Sequence, residues 1–270
     1  MVTGVTLLAI FCMFTYCMNV HIANNGGSMS SDSQERLTVL LVHGAWHGAW
    51  CWQNVKEELI RNGLEVETVD LPSANPQGGQ RGGLYDDARV VRTALDSIEG
   101  NVIAVAHSYG GLPLSEGAAG APNVAHLIYL TAFQLDIGES LLSAIGGQPT
   151  SWLQIGDGVT MPTDTRDIFF ADIDEAAADA AAARLSPQSL SSFEESQTAA
   201  AWISTPSTYI ICENDNAIPV PAQEAMSARA GQTIRVASSH SAFLSRPVDI
   251  AQIIADHANS MSAGFTPTAP

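Results

Sequence analysis

From Leu37 onward the chain alternates short, unbroken apolar runs with amphipathic segments, and no other feature narrows its fold as much. The runs LTVLLVHG (37–44), LEVETVDLP (64–72), NVIAVAHS (101–108), VAHLIYLTAF (124–133), STYIICE (207–213) and 232–238 are rich in β-branched and aliphatic residues. Continuous runs of this kind predict strands buried on both faces. Between them, the spacing predicts helices over 52–63, 85–99, 109–117, 221–230 and 248–260, the first with Val55, Leu59 and Ile60 inward and Gly63 as its stop. Repeated strand–helix–strand units require a mostly parallel sheet, here of about six strands, flanked by helices and joined by right-handed crossovers.

Residues 136–200 interrupt this rhythm. They include the alanine-rich stretch DEAAADAAAARL (174–185), a strong helix former. An insertion between two strands that end on the same side of a sheet is expected to form a helical cap, or lid, over whatever site those strand ends create. The domain reading is therefore a core of 35–135 and 201–260, a cap over 136–200 and a mobile tail at 261–270. Residues 1–34 are expected to lie outside the catalytic fold. Their apolar run from Val5 to Val20 is open to two readings: a secretory signal or membrane anchor, or an over-extended start with Met29 as the initiator. A cytoplasmic location follows from the second reading, and a secreted or anchored one from the first.

Where a catalytic site would sit is set by Ser108. It follows an apolar strand and precedes a helix in the context Ala106-His107-Ser108-Tyr109-Gly110-Gly111. A turn this tight needs small residues two before and two after the serine, and it lifts the hydroxyl clear of the strand end. Serine is a weak nucleophile unless a base lies within hydrogen-bonding reach. His240 follows the strand at 232–238 and fits that role; Asp215, in the loop ENDNAIP after STYIICE, is placed to orient it. Glu213 and Asp136 remain rival acids. The backbone N–H of Tyr109 and one from the loop VHGAWHGAW, best supplied by Ala45, would form an oxyanion hole, with Gly44 allowing close approach to the substrate.

The segments LLVHGAWHGAWCW, AHSYGG, YLTAF, ICENDNAIP and SHSAFL together resemble the α/β-hydrolases of the plant methylesterase and hydroxynitrile lyase group and their bacterial relatives. The resemblance covers about 37–135 and 205–258; the cap matches least. It implies the α/β-hydrolase fold, a triad of Ser108, Asp215 and His240, and an oxyanion hole from Ala45 and Tyr109. Ala106 departs from the glycine usual at its position. In the lyase branch a threonine follows the first histidine of the first loop and a lysine follows the catalytic histidine. This chain has Gly44 and Ser241 there, so the resemblance implies the esterase branch.

The expected activity is hydrolysis of a neutral carboxylic ester of small or medium size through an acyl-enzyme. Lactone opening and carbon–carbon bond hydrolysis stand as alternatives on the same triad, and ligand binding without turnover as a third. The partners are the ester and water, with no cofactor and no metal; a homodimer is compatible with the sequence. Gly44, Trp46, Phe133 and Trp152 are candidates for the substrate pocket, although Trp46, Trp50 and Trp52 equally suit core packing. His43 and His47 read as loop-shaping residues, His107 as a packing residue with its polar atoms satisfied, and 172–179 as a solvated helix start. Cys51 and Cys212 read as buried free thiols.

Charge supplies a further constraint. With 28 acidic and 11 basic residues the chain carries a net charge of −17, which excludes sequence-independent nucleic-acid binding and disfavours anionic lipid as a stable partner. Eleven of the acids, against only Arg166 and Arg184, fall within 136–200. A cap of that charge is expected to repel anionic substrates.

Overall fold

The computed structural model describes residues 36–75 and 80–264. The N-terminal apolar run at 5–20, the rest of 1–34 and residues 265–270 lie outside the described residues. Among the described residues nine strands are formed: β1 (Leu37–Val42), β2 (Glu65–Val69), β3 (Asn101–His107), β4 (Val124–Leu130), β5 (Leu153–Gly156), β6 (Val159–Pro162), β7 (Gln188–Ser189), β8 (Ser207–Cys212) and β9 (Gln232–Val236). Six of them build one sheet in the order β2-β1-β3-β4-β8-β9, and every pairing in it is parallel. The sheet, six strands flanked by helices, is the α/β-hydrolase arrangement expected from the sequence.

Side-chain alternation along the strands divides the core in two. Leu40, Val42, Ala104, Ala106, Leu127 and Tyr129 face α2 (Leu84–Ser97) and α3 (Gly111–Gly117). Val39, Leu41, Ile103, Val105, Ile128 and Leu130 face α1 (Gln53–Arg61), which buries Val55 and Leu59. Ile60, expected inward, is 52% exposed. It stands one position past Leu59, about 100° around the helix, and falls off the buried stripe. A 3-10 turn at Ala49–Trp52 precedes α1, so the helix starts later than the sequence suggested.

The insertion at 136–200 holds four short helices, α4 (Leu141–Ala144), α5 (Thr165–Phe169), α6 (Glu175–Ala182) and α7 (Ser191–Glu194). It also holds an antiparallel sheet of β5, β6 and β7, which the reading of the segment as helical did not anticipate. Asp157 and Gly158, with φ of 52° and 75°, form the two-residue turn between β5 and β6. An Asp-Gly pair adopts that left-handed turn readily, and it matches the twist of the flanking strands.

The chain returns through α8 (Val220–Ser227), α9 (Ala242–Ser245) and α10 (Pro247–Gly264). The last helix runs four residues into the segment expected to be a mobile tail. Strand order reverses between β1 and β3: one connection leaves β1 toward β2, the other enters β3 on the opposite side. At such a switch point the loops at the carboxyl ends diverge and leave a crevice.

Candidate active site

Ser108 sits at that crevice, at the end of β3. Its backbone is left-handed, with φ of 53°, a conformation that costs a residue with a side chain about 1–2 kcal/mol. Close packing enforces it. A Cβ on Gly110 would come within 2.4 Å of the His43 carbonyl, so β1 and the turn touch backbone to backbone. A Cβ on Gly44 would lie 2.8 Å from Ser108 Cβ, so only glycine lets the first loop reach the serine. The Ser108 carbonyl accepts from Phe133 N–H at 3.0 Å, which ties the turn to the segment after β4.

The acid and the imidazole come from the next two strand ends. Asp215 follows β8 and His240 follows β9; His240 Nδ1 lies 2.7 Å from Asp215 Oδ2, both side chains almost wholly buried. Asp215 Oδ1 accepts from the N–H groups of Ala217 (2.7 Å) and Ile218 (2.9 Å). Oδ2 also accepts from Thr131 Oγ1 at 2.5 Å. A group receiving this many donors is an ionised acceptor, so the imidazole presents N–H at Nδ1 and keeps its Nε2 lone pair. The rival acids are engaged elsewhere. Asp136 pairs with Arg229 at 3.0 Å, and Glu213 lies 3.8 Å from Arg235.

Ser108 and His240 line one narrow cavity of about 40 Å³ together with Ala45, Tyr109, Trp46 and Phe133. From the insertion, Trp152, Phe169, Phe193 and Leu141 complete it. His240 is the one titratable side chain of the lining besides the Tyr109 phenol, so the cavity is apolar and without fixed charge. Gly44 does not line it; it stands behind Ser108. A wider surface groove beside α2, bordered by Arg81, Asp86 and Arg89, includes none of Ser108, Asp215 or His240. Of the three tryptophans, Trp46 is at the cavity. Trp50 stacks on His47 at 5.4 Å with the Arg184 guanidinium over it, and Trp52 is buried against Phe243 on the other side of the sheet. The Ala45 N–H has no acceptor among the described residues.

Three histidines shape the surroundings. His43 donates from Nδ1 to the Gly44 carbonyl at 2.8 Å and accepts from Leu71 N–H at Nε2. His47 bonds the Ala45 carbonyl, and burial pushes its pKa down to about 3, so it is neutral. His107 differs from the satisfied packing residue expected. Its Nε2 donates to the His240 carbonyl at 3.0 Å, while its buried Nδ1 has no partner. Burial, then the neighbouring imidazoles, hold it well below the ordinary histidine range. Among the described residues no group of three His, Cys, Asp or Glu is arranged to hold a metal ion. Cys51 and Cys212 are free and buried.

Sequence reasoning missed the residues that hold these groups in place. Thr131 has φ of 36° and directly follows β4 beside Asp215, 84 positions away in sequence. Asp172, expected at a solvated helix start, is exposed as expected but also accepts from both the N–H (2.8 Å) and the hydroxyl of Ser239, next to His240. Asp174 does behave as expected, capping α6 through Ala177 N–H. Asp87 is buried in the first turn of α2, where the sequence resembles an exposed acidic helix start. The usable signal was its register: Asp87 falls on the same stripe of α2 as Leu84, Val91 and Leu95, which is buried.

Residues 39–253 match the alpha/beta hydrolase family. The chain is 27% identical over 236 residues to "Alpha/beta hydrolase nvfD" of Aspergillus novofumigatus, covering 80% of this chain and 94% of that one. It is 34% identical over 117 residues to "Methylesterase 7" of Arabidopsis thaliana, an alignment spanning 39% of this chain and 44% of the plant protein. Against the crystal structure of a pyrethroid hydrolase from Sphingobium faniae JZ-2 the TM-score is 0.73 at 24% identity, over 83% of this chain and 97% of the other. This last likeness is one of fold.

Proposed function

The chain belongs to the alpha/beta hydrolase family, and from that membership we propose that it hydrolyses a neutral carboxylic ester through an acyl-enzyme on Ser108. Esterase chemistry on this fold is supported by the relative named a methylesterase. The observation that carries the finer reading is the pairing of His240 Nδ1 with the fully engaged Asp215 carboxylate, beside a cavity that His240 shares with Ser108.

In this reading Ser108 Oγ attacks the acyl carbon while His240 Nε2 takes the hydroxyl proton. Asp215 stabilises the resulting imidazolium and holds its ring. The N–H groups of Ala45 and Tyr109 receive the tetrahedral oxygen. His240 then gives its proton to the leaving alkoxide, and the alcohol departs. Water enters, His240 removes its proton, and attack on the acyl carbon releases the acid and restores Ser108. The uncharged aromatic lining favours a compact apolar acyl or alcohol group over a charged one. Turnover of p-nitrophenyl acetate by the wild type and by Ser108→Ala tests this. Loss of at least about 10⁴ in kcat is expected, and retained turnover in the variant would remove Ser108 from the reaction.

A further inference from the structure

Asp87 is fully buried and has no cationic partner among the described residues, and the chemistry above does not use it. A carboxylate in that position is costly unless donors surround it. Three do: Ser73 N–H at 2.9 Å, the Ser73 hydroxyl, and the Tyr109 hydroxyl at 2.6 Å. The hydrogen bonds continue past Ser73. Gln188 Nε2, in β7 of the insertion, donates to Ser73 Oγ at 2.7 Å, and Gln188 Oε1 accepts from Trp46 N–H at 3.2 Å. One buried chain therefore runs from Tyr109 to Trp46.

Its two ends are the point. Tyr109 itself carries one backbone N–H assigned to the oxyanion, and Trp46 directly follows Ala45, which carries the other. Both neighbourhoods are strained, with φ of 63° at Trp46 and 53° at Ser108. A left-handed residue relaxes unless something outside the turn holds it. At Trp46 the insertion grips every polar atom: the N–H by Gln188, the carbonyl by Ser186 N–H (2.9 Å) and the indole N–H by the Thr160 carbonyl (3.1 Å). At Tyr109 the phenol ring, packed on Phe193, is anchored at its tip by Asp87.

We propose that Asp87 is a positioning residue which, through Tyr109 on one side and Ser73, Gln188 and Trp46 on the other, fixes the spacing of the two backbone N–H groups of the oxyanion hole. This rests on the esterase reading. An oxyanion is stabilised only by donors about 2.7–3.1 Å from the place it will occupy. The two N–H groups come from different loops, so their separation depends on whatever ties those loops together.

Tyr109→Phe removes the anchor and leaves the backbone N–H; Ser73→Ala breaks the chain at its middle. Both would be assayed beside the wild type for kcat and KM on p-nitrophenyl acetate, for affinity toward an aryl trifluoromethyl ketone, and for melting temperature. In each variant kcat is expected to fall about tenfold or more with KM within twofold, less than the 10²–10³ lost when a donor is deleted. Ketone affinity should fall by the same factor, because the ketone forms the tetrahedral oxyanion. A purely structural Asp87 would lower melting temperature and leave kcat and ketone affinity of the folded variants at wild-type values, and that result overturns the proposal. Wild-type protein that neither turns over the ester nor binds the ketone overturns the esterase reading, and this proposal with it.

Discussion

Thr131 Oγ1 donates to Asp215 Oδ2 at 2.5 Å, sharing the carboxylate oxygen that receives His240 Nδ1. The hydroxyl at the end of one strand thereby sets the direction of the acid carried by the next. Gln223 Nε2 also reaches this oxygen, at 3.4 Å.

Thr131→Val keeps the shape and removes this donor. A hydrogen bond to a charged group contributes about 2 kcal/mol, so the melting temperature should drop, and kcat should fall several-fold as Asp215 loses one constraint. Thermal melts and steady-state kinetics read both. A variant unchanged in both would show that Thr131 only fills space.

Asp215→Asn puts an amide where the imidazole N–H needs a carboxylate. The His240 tautomer is then wrong for accepting the Ser108 proton, and kcat is expected to fall about 10⁴-fold with the fold preserved by the backbone donors of Ala217 and Ile218. Circular dichroism checks the fold and ester turnover checks the rate. Wild-type turnover would return the role to another acid.

Burial raises the Asp87 pKa to about 6, with the Ser73 and Tyr109 hydrogen bonds opposing and the Asp86 charge adding to it. The ordinary value is 3.8. The folded protein thus holds this proton more tightly than the unfolded chain. Its stabilising effect is complete below about pH 4 and is lost as pH rises through about 6. Denaturant melts of wild type and Asp87→Asn, taken from pH 4 to 7, should show the wild type losing about 3 kcal/mol relative to the variant across that window. A constant difference would mean that Asp87 does not change its ionisation state between pH 4 and 7.

The acids of the 136–200 segment predict selectivity. A neutral ester should be hydrolysed faster than its half-acid analogue at low ionic strength, with the ratio shrinking as salt screens the field. Equal kcat/KM values in low salt would exclude any such steering.

Much of this architecture was legible in the chain because parallel strands must be apolar on both faces and crossover helices must be amphipathic. The order Ser108, Asp215, His240 along three strand ends followed from that layout. What stayed hidden depends on contacts across long sequence distances. Thr131 lies 84 positions from Asp215, and Asp172 lies 67 from Ser239. Nothing local distinguishes such a residue from an ordinary strand-end threonine or an exposed acid. The β5–β6 hairpin was different: Asp157-Gly158 is a strong turn signal, but the flanking strands are only four residues long, the first mostly exposed and the second burying Thr160 and Pro162, so no apolar alternation marked them. His107 was misjudged because its buried Nδ1 is left without a partner, although its Nε2 reaches a backbone carbonyl 133 residues away.

The most direct test is the site of covalent capture. Wild-type protein treated with a fluorophosphonate should gain one phosphonyl group, mapped by peptide mass spectrometry to Ser108, with labelling abolished in Ser108→Ala and strongly slowed in His240→Ala. A label on any other residue, or undiminished labelling of Ser108→Ala, would contradict Ser108 as the nucleophile and the acyl-enzyme mechanism built on it.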